Sequence, residues 1–120
     1  MAIARTYPRI GAHVPTSGGM ATRSIEYALT IKAEAIQVFA SSPRTWATST
    51  PNPAMDEAFK IKTTEHDIKP FVHASFLINL GSPTQTTYTN SLSATAYSLK
   101  RGREIGAHGV VVHTGSAVDE

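Results

Sequence analysis

Four short apolar runs, separated by three longer segments with helical spacing, restrict the fold of this chain more than any other feature. The runs cover Ile10 to Val14, Ala35 to Ala40, Pro70 to Ala74 and Gly109 to His113. Each is short, partly β-branched or aromatic, and next to Gly, Pro or Ser, as buried strands are. Strands that alternate with helices form βα units, so the pattern predicts four parallel strands in sequence order.

The first two intervening segments carry helix signals. Apolar residues follow helical spacing from Ala21 to Ala33, and Thr16 and Ser17 are candidate N-caps for that helix. The second helix is predicted to start at Pro53 behind an Asn52 cap, since proline suits the first helical position. Its buried face is expected to comprise Met55, Phe59 and the stem of Lys62.

The third helix is predicted from about Thr84 to Ile105, with Gly106 placed to end it. Its helical spacing predicts a buried face of Tyr88, Leu92, Ala96 and Leu99. The basic residues of its last turns match the helix dipole and are interpreted as a solvated face rather than a DNA-binding patch. They are Lys100, Arg101 and Arg103.

Parallel βα units form either an open sheet or a barrel, and no G-x-G-x-x-G follows the first run. The missing phosphate loop favours a TIM barrel, and in both folds ligands lie at the C-terminal ends of the strands. The 120 residues fit one domain, in which residues 1–8 are expected to form a flexible N-terminal extension. That segment has no apolar signal-peptide core, so a cytoplasmic location is expected.

The composition limits the chemistry of a site. The chain has no cysteine, so a metal would be held by histidine and carboxylate side chains. Its formal charge of +2 and pI near 9.1 are compatible with a polyanionic partner but fall short of a basic nucleic-acid arm.

Three of the five histidines lie at or near the C-terminal ends of predicted strands. His13, His73 and His113 would therefore meet at one rim of a parallel barrel, where a shared metal or phosphate site is as plausible as three separate structural histidines. His66 and His108 fall at the other ends of the strands and are interpreted as structural or solvated.

Two loops after strands have the composition of contact surfaces. Ser41 to Trp46 (SSPRTW) brings an arginine and a tryptophan to this rim, and Ser75 to Pro83 (SFLINLGSP) is unusually apolar for a loop. Arginine with aromatic neighbours can enter a DNA groove and separate bases. The alternative is that the apolar residues cover the barrel mouth or the helix tops, which is preferred for Leu77, Ile78 and Leu80.

Four blocks of the chain resemble endonuclease IV, the apurinic/apyrimidinic-site endonuclease family. They are Ile10 to Gly19 (IGAHV…GG), Gln37 to Trp46 (QVFASSPRTW), His73 to Pro83 (HASFLINLGSP) and Gly109 to Ser116 (GVVVHTGS). The blocks occur in the family's order, and HASFLINLG is the most specific of them.

The resemblance implies a TIM (β/α)8 barrel of the xylose isomerase-like type, of which residues 1–120 supply the N-terminal half with about four strands and three helices. It implies a DNA-repair enzyme of base excision repair with a trinuclear zinc centre. A zinc-activated hydroxide would hydrolyse the phosphodiester 5′ to an abasic site in double-stranded DNA. The complete enzyme would be monomeric, whereas the 120-residue chain alone would self-associate and be inactive.

By the same resemblance, His73 and His113 match the family's first two zinc ligands, and His13 matches a histidine near the metals that is not an established ligand. The family's remaining ligands come from strands five to eight. Asp119 and Glu120 match none of them, so this chain alone is expected to form at most a partial metal site.

The resemblance also implies DNA-contacting residues. Arg44 matches an arginine that enters the minor groove, and Phe76 stands where a DNA-penetrating tyrosine is common. Thr45 replaces a glutamine that fills the gap left by the flipped nucleotide, which puts that role in question. Ser42 and Thr114 replace a frequent asparagine and proline, and none of these changes affects a metal ligand.

Two alternatives remain open from sequence. A metal-dependent sugar isomerase or epimerase shares the barrel and the strand-end histidines, but it would need an enclosed pocket where SSPRTW predicts a protruding loop. The other alternative is a non-catalytic half-barrel fragment.

Overall fold

A parallel sheet forms the frame of the computed structural model, which describes residues 4–117. Its strands are β1 (Gly11–His13), β2 (Ala35–Phe39), β3 (Lys69–His73) and β4 (Val110–Val111). They pair in the order β1-β2-β3-β4, every pair parallel. The predicted order and direction are thus confirmed, although the strands at the two edges are shorter than their apolar runs.

Three helical segments connect the strands. A π-helical segment (Gly19–Ser24) continues into α1 (Ile25–Thr30), and α2 (Pro53–Glu65) and α3 (Gln85–Glu104) follow β2 and β3. The core lies between the sheet and these helices, where alternate strand residues are buried. Its fully buried members include Val38, Val72, Phe59, Ala28 and Ile105. No helix within residues 4–117 is long and apolar enough to cross a membrane.

The opposite face of the sheet is an open concave surface. Gln37 and Phe71 on this face are only half-buried, and Val111 is 41% exposed. Gly11 fits at the β1 edge because an added Cβ would lie 1.7 Å from the Ala35 carbonyl oxygen. The concave face is thus the surface that a closed barrel would fill with its interior side chains.

The start of the first helix differs from the prediction. Neither Thr16 nor Ser17 caps it through its side chain; instead Gly18 and Gly19 adopt φ values of 92° and 107°, and the Gly19 N–H donates to the Thr16 carbonyl. Two consecutive positive φ values favour glycine and turn the chain into the helix without a side-chain cap. The second helix starts as predicted, with Asn52 accepting from the Met55 N–H at 3.2 Å.

The predicted buried face of α3 is wrong. Tyr88, Leu92 and Leu99 are 39%, 48% and 58% exposed, and Ala96 is exposed as well. The inward face is formed by small and polar residues and one arginine: Ser91, Ser98, Arg101 and Gly102. A Cβ on Gly102 would lie 3.3 Å from Val110, so small residues let α3 approach the sheet closely.

Arg101 also departs from the predicted solvated basic run. Its side chain is 6% exposed and forms two hydrogen bonds, of 2.7 and 2.8 Å, with the Asp56 carboxylate on α2. Glu104 provides a second carboxylate partner. The hydrogen bonds that Arg101 donates to Asp56 raise the pKa of the guanidinium above its usual value. Buried charges are tolerated when they are paired in this way, so α2 and α3 are joined by an ion pair inside their interface.

The N-terminal segment contacts the ends of the strands opposite the histidines. Arg5 pairs with Glu34, and Arg9 donates to both carboxylate oxygens of Asp67 at 2.9 and 3.1 Å. Residues 1–3 of the predicted extension, like Asp119 and Glu120, lie outside the described residues. The flexibility of residues 1–8 stays a prediction.

Candidate functional site

The three strand-end histidines share one rim of the sheet, as predicted. His13 and His73 are the last residues of β1 and β3, and His113 follows β4 by two residues. The ring centroids of His73 and His113 are 5.0 Å apart, and their Nε2 atoms are 3.3 Å apart. His66 and His108 lie at the opposite rim and are both exposed.

Hydrogen bonding fixes the tautomer of His73. Its Nδ1 lies 2.6 Å from the Ala74 carbonyl oxygen, which can only accept, so Nδ1 carries the ring proton. The lone pair of Nε2 is therefore directed at His113. A backbone carbonyl on one imidazole nitrogen and a free lone pair on the other is the arrangement that metal-binding histidines use.

His13 is in a different state. The Gln37 amide Nε2 lies 3.0 Å from His13 Nδ1 and can only donate, so Nδ1 accepts and the neutral ring carries its proton on Nε2. Burial lowers the pKa of His13, and the proximity of His73 lowers it further. In this tautomer His13 carries a hydrogen-bond donor on Nε2.

Phe39 lies among the rim rings. Its centroid is 4.5 Å from that of His13, 5.3 Å from that of His73 and 5.2 Å from that of Phe76. Edge and tilted contacts of this kind stabilise the orientation of aromatic rings. The ring at the end of β2 thus spaces His13 from His73.

The paired histidines fit part of a zinc site. Two nitrogens at about 2.0–2.1 Å from a tetrahedral zinc are about 3.3–3.4 Å apart, and the His73 and His113 Nε2 atoms are 3.3 Å apart. Among residues 4–117, no group of three or more His, Cys, Asp or Glu side chains could hold a metal ion. The two histidines thus have the spacing of a ligand pair, and a metal ion would need further ligands from outside this group.

The loop after β2 presents Arg44 to solvent. Arg44 is exposed and pairs with no carboxylate within the part of the chain that the structure describes. The carbonyl of Pro43, in the peptide that leads to Arg44, accepts from the Ser75 hydroxyl at 2.9 Å and from the Phe76 N–H at 3.0 Å. The loops after β2 and β3 are thus joined at the residue before Arg44.

The loop after β3 presents one ring and buries one side chain. Phe76 is 53% exposed beside the histidines, whereas Ile78 is 3% exposed, as expected for a residue that covers the helix tops. Leu80 is half-buried and Leu77 is 36% exposed. Thr45 is exposed in the neighbouring loop and lines a small cleft with Tyr97.

Sequence reasoning did not identify the polar residues that connect these loops. Ser75, Asn79 and Tyr97 bond to backbone groups of other segments, Tyr97 through its hydroxyl to the Ser49 carbonyl at 2.9 Å. The sequence pattern could have identified two of them, Ser75 and Asn79. Ser and Asn within an otherwise apolar loop are typical of side chains that bond to backbone groups.

Comparison with known proteins identifies the relatives of this chain. It is 50% identical over 108 residues to a probable endonuclease 4 of Streptomyces avermitilis, and 34% identical over 116 residues to endonuclease 4 of Thermus thermophilus. The crystal structure of endonuclease IV from Thermus thermophilus matches with a TM-score of 0.83 at 33% identity, covering 92% of this chain. No family model matches the chain.

The chain is homologous to endonuclease IV. The alignments cover 90% and 94% of it, so the homology includes the sheet and the rim with its histidines. The fold prediction is confirmed: four parallel strands and the helices between them form about half of the family's TIM barrel. The chain spans 35% of the Streptomyces relative and 42% of the Thermus crystal structure.

Proposed function

We propose that this chain is the N-terminal half of a zinc-dependent endonuclease that cleaves DNA 5′ to abasic sites. The observation that carries the proposal is the pair of His73 and His113 Nε2 atoms, 3.3 Å apart, on the rim that also presents Arg44. The named endonuclease 4 relatives support the nuclease class. Nothing in the named relatives favours the sugar isomerase or epimerase alternative.

On the metal side, His73 and His113 would each donate Nε2 to zinc, and the proton on His73 Nδ1 keeps that ring in the required tautomer. Bound zinc supplies a hydroxide nucleophile at neutral pH and stabilises negative charge on the phosphate. His13, whose Nε2 carries a proton, would donate a hydrogen bond to an anionic oxygen at the site. The remaining ligands, from strands five to eight of the complete barrel, would complete the trinuclear centre.

On the DNA side, Arg44 and Phe76 have the exposure that groove-entering side chains need. An arginine in the minor groove and a ring wedged between bases would bend the duplex and favour extrusion of the damaged nucleotide. A nucleotide without a base has the least stacking to lose, so the extrusion step itself would select abasic sites. Thr45 lies beside Arg44 but is shorter than a glutamine, so we assign it a contact to the DNA rather than the filling of the gap.

The test uses the complete protein, meaning this chain continued through the later strands of its barrel. Metal-free protein is loaded with zinc and mixed with a duplex that contains one abasic site, and strand cleavage is followed on a gel. We expect zinc-dependent cleavage 5′ to the abasic site and none of the undamaged duplex. Failure to cleave the abasic duplex with full zinc occupancy would refute the proposed function.

Three variants separate the proposed roles. His113→Ala should lower zinc content and activity together, because it removes a ligand. Arg44→Ala should keep its zinc and bind the abasic duplex about tenfold more weakly, as expected for loss of a charged hydrogen bond. His108→Ala, an exposed histidine on the opposite rim, is the matched control and should change neither quantity. Equal loss of zinc in Arg44→Ala and His113→Ala would contradict the assignment.

A further inference from the structure

The loop after β3 is held rigidly against α3. The Asn79 N–H donates to the Ser91 hydroxyl at 2.8 Å, and that hydroxyl donates to the Thr87 carbonyl at 2.7 Å. Ser91 is fully buried, and Ile78 beside Asn79 is 3% exposed. A buried hydroxyl that both accepts and donates has little freedom to move. The loop after β3 can therefore hold the two neighbouring segments in place, which are the chain after His113 and the chain that leads to Arg44.

On one side, the loop fixes the chain that follows His113. The Asn79 Oδ1 accepts from the Ser116 N–H at 2.9 Å, and the Leu80 N–H donates to the Thr114 carbonyl at 3.0 Å. Gly115 fits between these contacts, since an added Cβ would lie 2.0 Å from the Asn79 Oδ1 and its φ is +93°. The backbone after His113 thus depends directly on the Asn79 side chain.

On the other side, the loop fixes the chain that leads to Arg44. The Pro43 carbonyl accepts from both Ser75 Oγ and Phe76 N–H, which sets the plane of the peptide before Arg44. Ser75 Oγ also accepts from the Leu77 N–H at 3.2 Å, so the hydroxyl is itself oriented. Removal of the hydroxyl leaves the Pro43 carbonyl with a single donor.

We infer that Ser75 and Asn79 are positioning residues that orient different parts of the nuclease site. Asn79 positions His113 for zinc, and Ser75 positions Arg44 for DNA. Neither needs to touch metal or substrate, because each acts through the backbone next to the functional residue. The inference rests on the proposed function, and it adds that zinc affinity and DNA affinity are separable through two residues of one loop.

Asn79 is tested by zinc affinity in the complete protein. Asn79→Ala should weaken zinc binding about tenfold or more, the effect typical of lost groups that orient a ligand. Asn79→Asp retains an oxygen that accepts the Ser116 N–H and should restore the affinity to near that of the parent. Gly115→Ala should act in the same direction as Asn79→Ala. Ser93→Ala, at an exposed position of α3, is the control.

Ser75 is tested by binding of the zinc-loaded protein to a fluorescent abasic duplex. Ser75→Ala should raise the Kd about fivefold, the effect of one neutral hydrogen bond, with zinc affinity unchanged. Ser75→Thr keeps the hydroxyl and should bind like the parent. Ser93→Ala, the same substitution at an exposed position of α3, is the control.

The outcomes distinguish the inference from the proposed function. If the parent protein does not cleave abasic DNA, the function fails, while the zinc titrations still decide the role of Asn79. If the parent cleaves but both alanine variants bind zinc and duplex as the parent does, the inference is wrong. Equal loss of both affinities in Ser75→Ala and Asn79→Ala would also overturn it, because a general loss of fold would explain that result. If Asn79→Asp fails to restore zinc affinity and Ser75→Thr fails to keep duplex affinity, the hydrogen bonds of these side chains are not what positions His113 and Arg44, and the inference is wrong.

Discussion

The buried pair between Asp56 and Arg101 should be a major contributor to the stability of the α2–α3 interface. Both side chains are less than a tenth exposed, and their two hydrogen bonds have the bidentate geometry that arginine forms with carboxylates. Asp56→Ala would leave a buried guanidinium whose remaining carboxylate partner among the described residues is Glu104. Arginine keeps its charge under all ordinary conditions, so the variant cannot relieve the cost by losing a proton.

Breaking a buried pair by removing one partner costs roughly 3–5 kcal/mol, and the remaining contact with Glu104 places the expected cost near the lower limit, at about 3 kcal/mol. Replacing Arg101 as well removes the uncompensated charge. The double variant Asp56→Ala with Arg101→Met should therefore be more stable than Asp56→Ala alone, because a long apolar side chain fills the space without needing a partner.

Urea denaturation of the complete protein, followed by circular dichroism, measures these free energies of unfolding. Glu57→Ala is the matched control, since it removes an exposed pair with Lys60 worth about 0–1 kcal/mol at most. Recovery of stability in the double variant would show that the cost comes from the unpaired charge. The reasoning is refuted if Asp56→Ala is as stable as Glu57→Ala, or if the double variant is no more stable than Asp56→Ala.

Two further predictions concern the ends of the strands and the open sheet. The pKa of Glu34 is lowered, mainly by the hydrogen bond from the Ile10 N–H and next by the one from Arg5. The ionised Glu34 carboxylate therefore stabilises the fold fully above the ordinary glutamate pKa, and this stabilisation is lost as the pH falls through the lowered pKa. Glu34→Gln should therefore be less stable than the parent at pH 7, with the difference disappearing in acid denaturation. The 120-residue chain expressed alone should dimerise or aggregate in light scattering and should not nick abasic DNA in excess zinc, because its edge strands and concave face lack neighbours; a stable monomer or zinc-dependent incision would contradict these expectations.

The sheet and the rim were predictable because they depend on local patterns. Short apolar runs between helical segments mark buried parallel strands, and a residue at the end of such a run lies at one rim whatever the rest of the fold. His13 and His73 follow that rule, and the Asn52–Pro53 signal fixed the start of α2. The resemblance then added the family, which no single pattern in this chain identifies.

The face of α3 and its buried arginine were not predictable by the same reasoning. Periodicity finds the apolar stripe of Leu92 and Leu99 but does not say which side of the helix meets the sheet. In this fold the face of α3 with the small residues packs against the sheet, since Gly102 lies close to Val110. Arg101 pairs with Asp56 on α2, 45 residues away in the sequence. Such pairing depends on the tertiary arrangement, which overrides local preference.

Three of the functional candidates on the rim, Arg44, His73 and His113, are held through a backbone group of an adjacent residue. The carbonyl of Pro43 precedes Arg44, and that of Ala74 follows His73 and accepts its ring proton. The carbonyl of Thr114 follows His113 and accepts from the next loop. These bonds leave the Nε2 atoms of His73 and His113 facing each other at 3.3 Å, and Arg44 pairs with no carboxylate within residues 4–117. A rim built this way would tolerate exchange of exposed side chains such as Thr45 and Phe76 without losing the backbone contacts that hold its histidines.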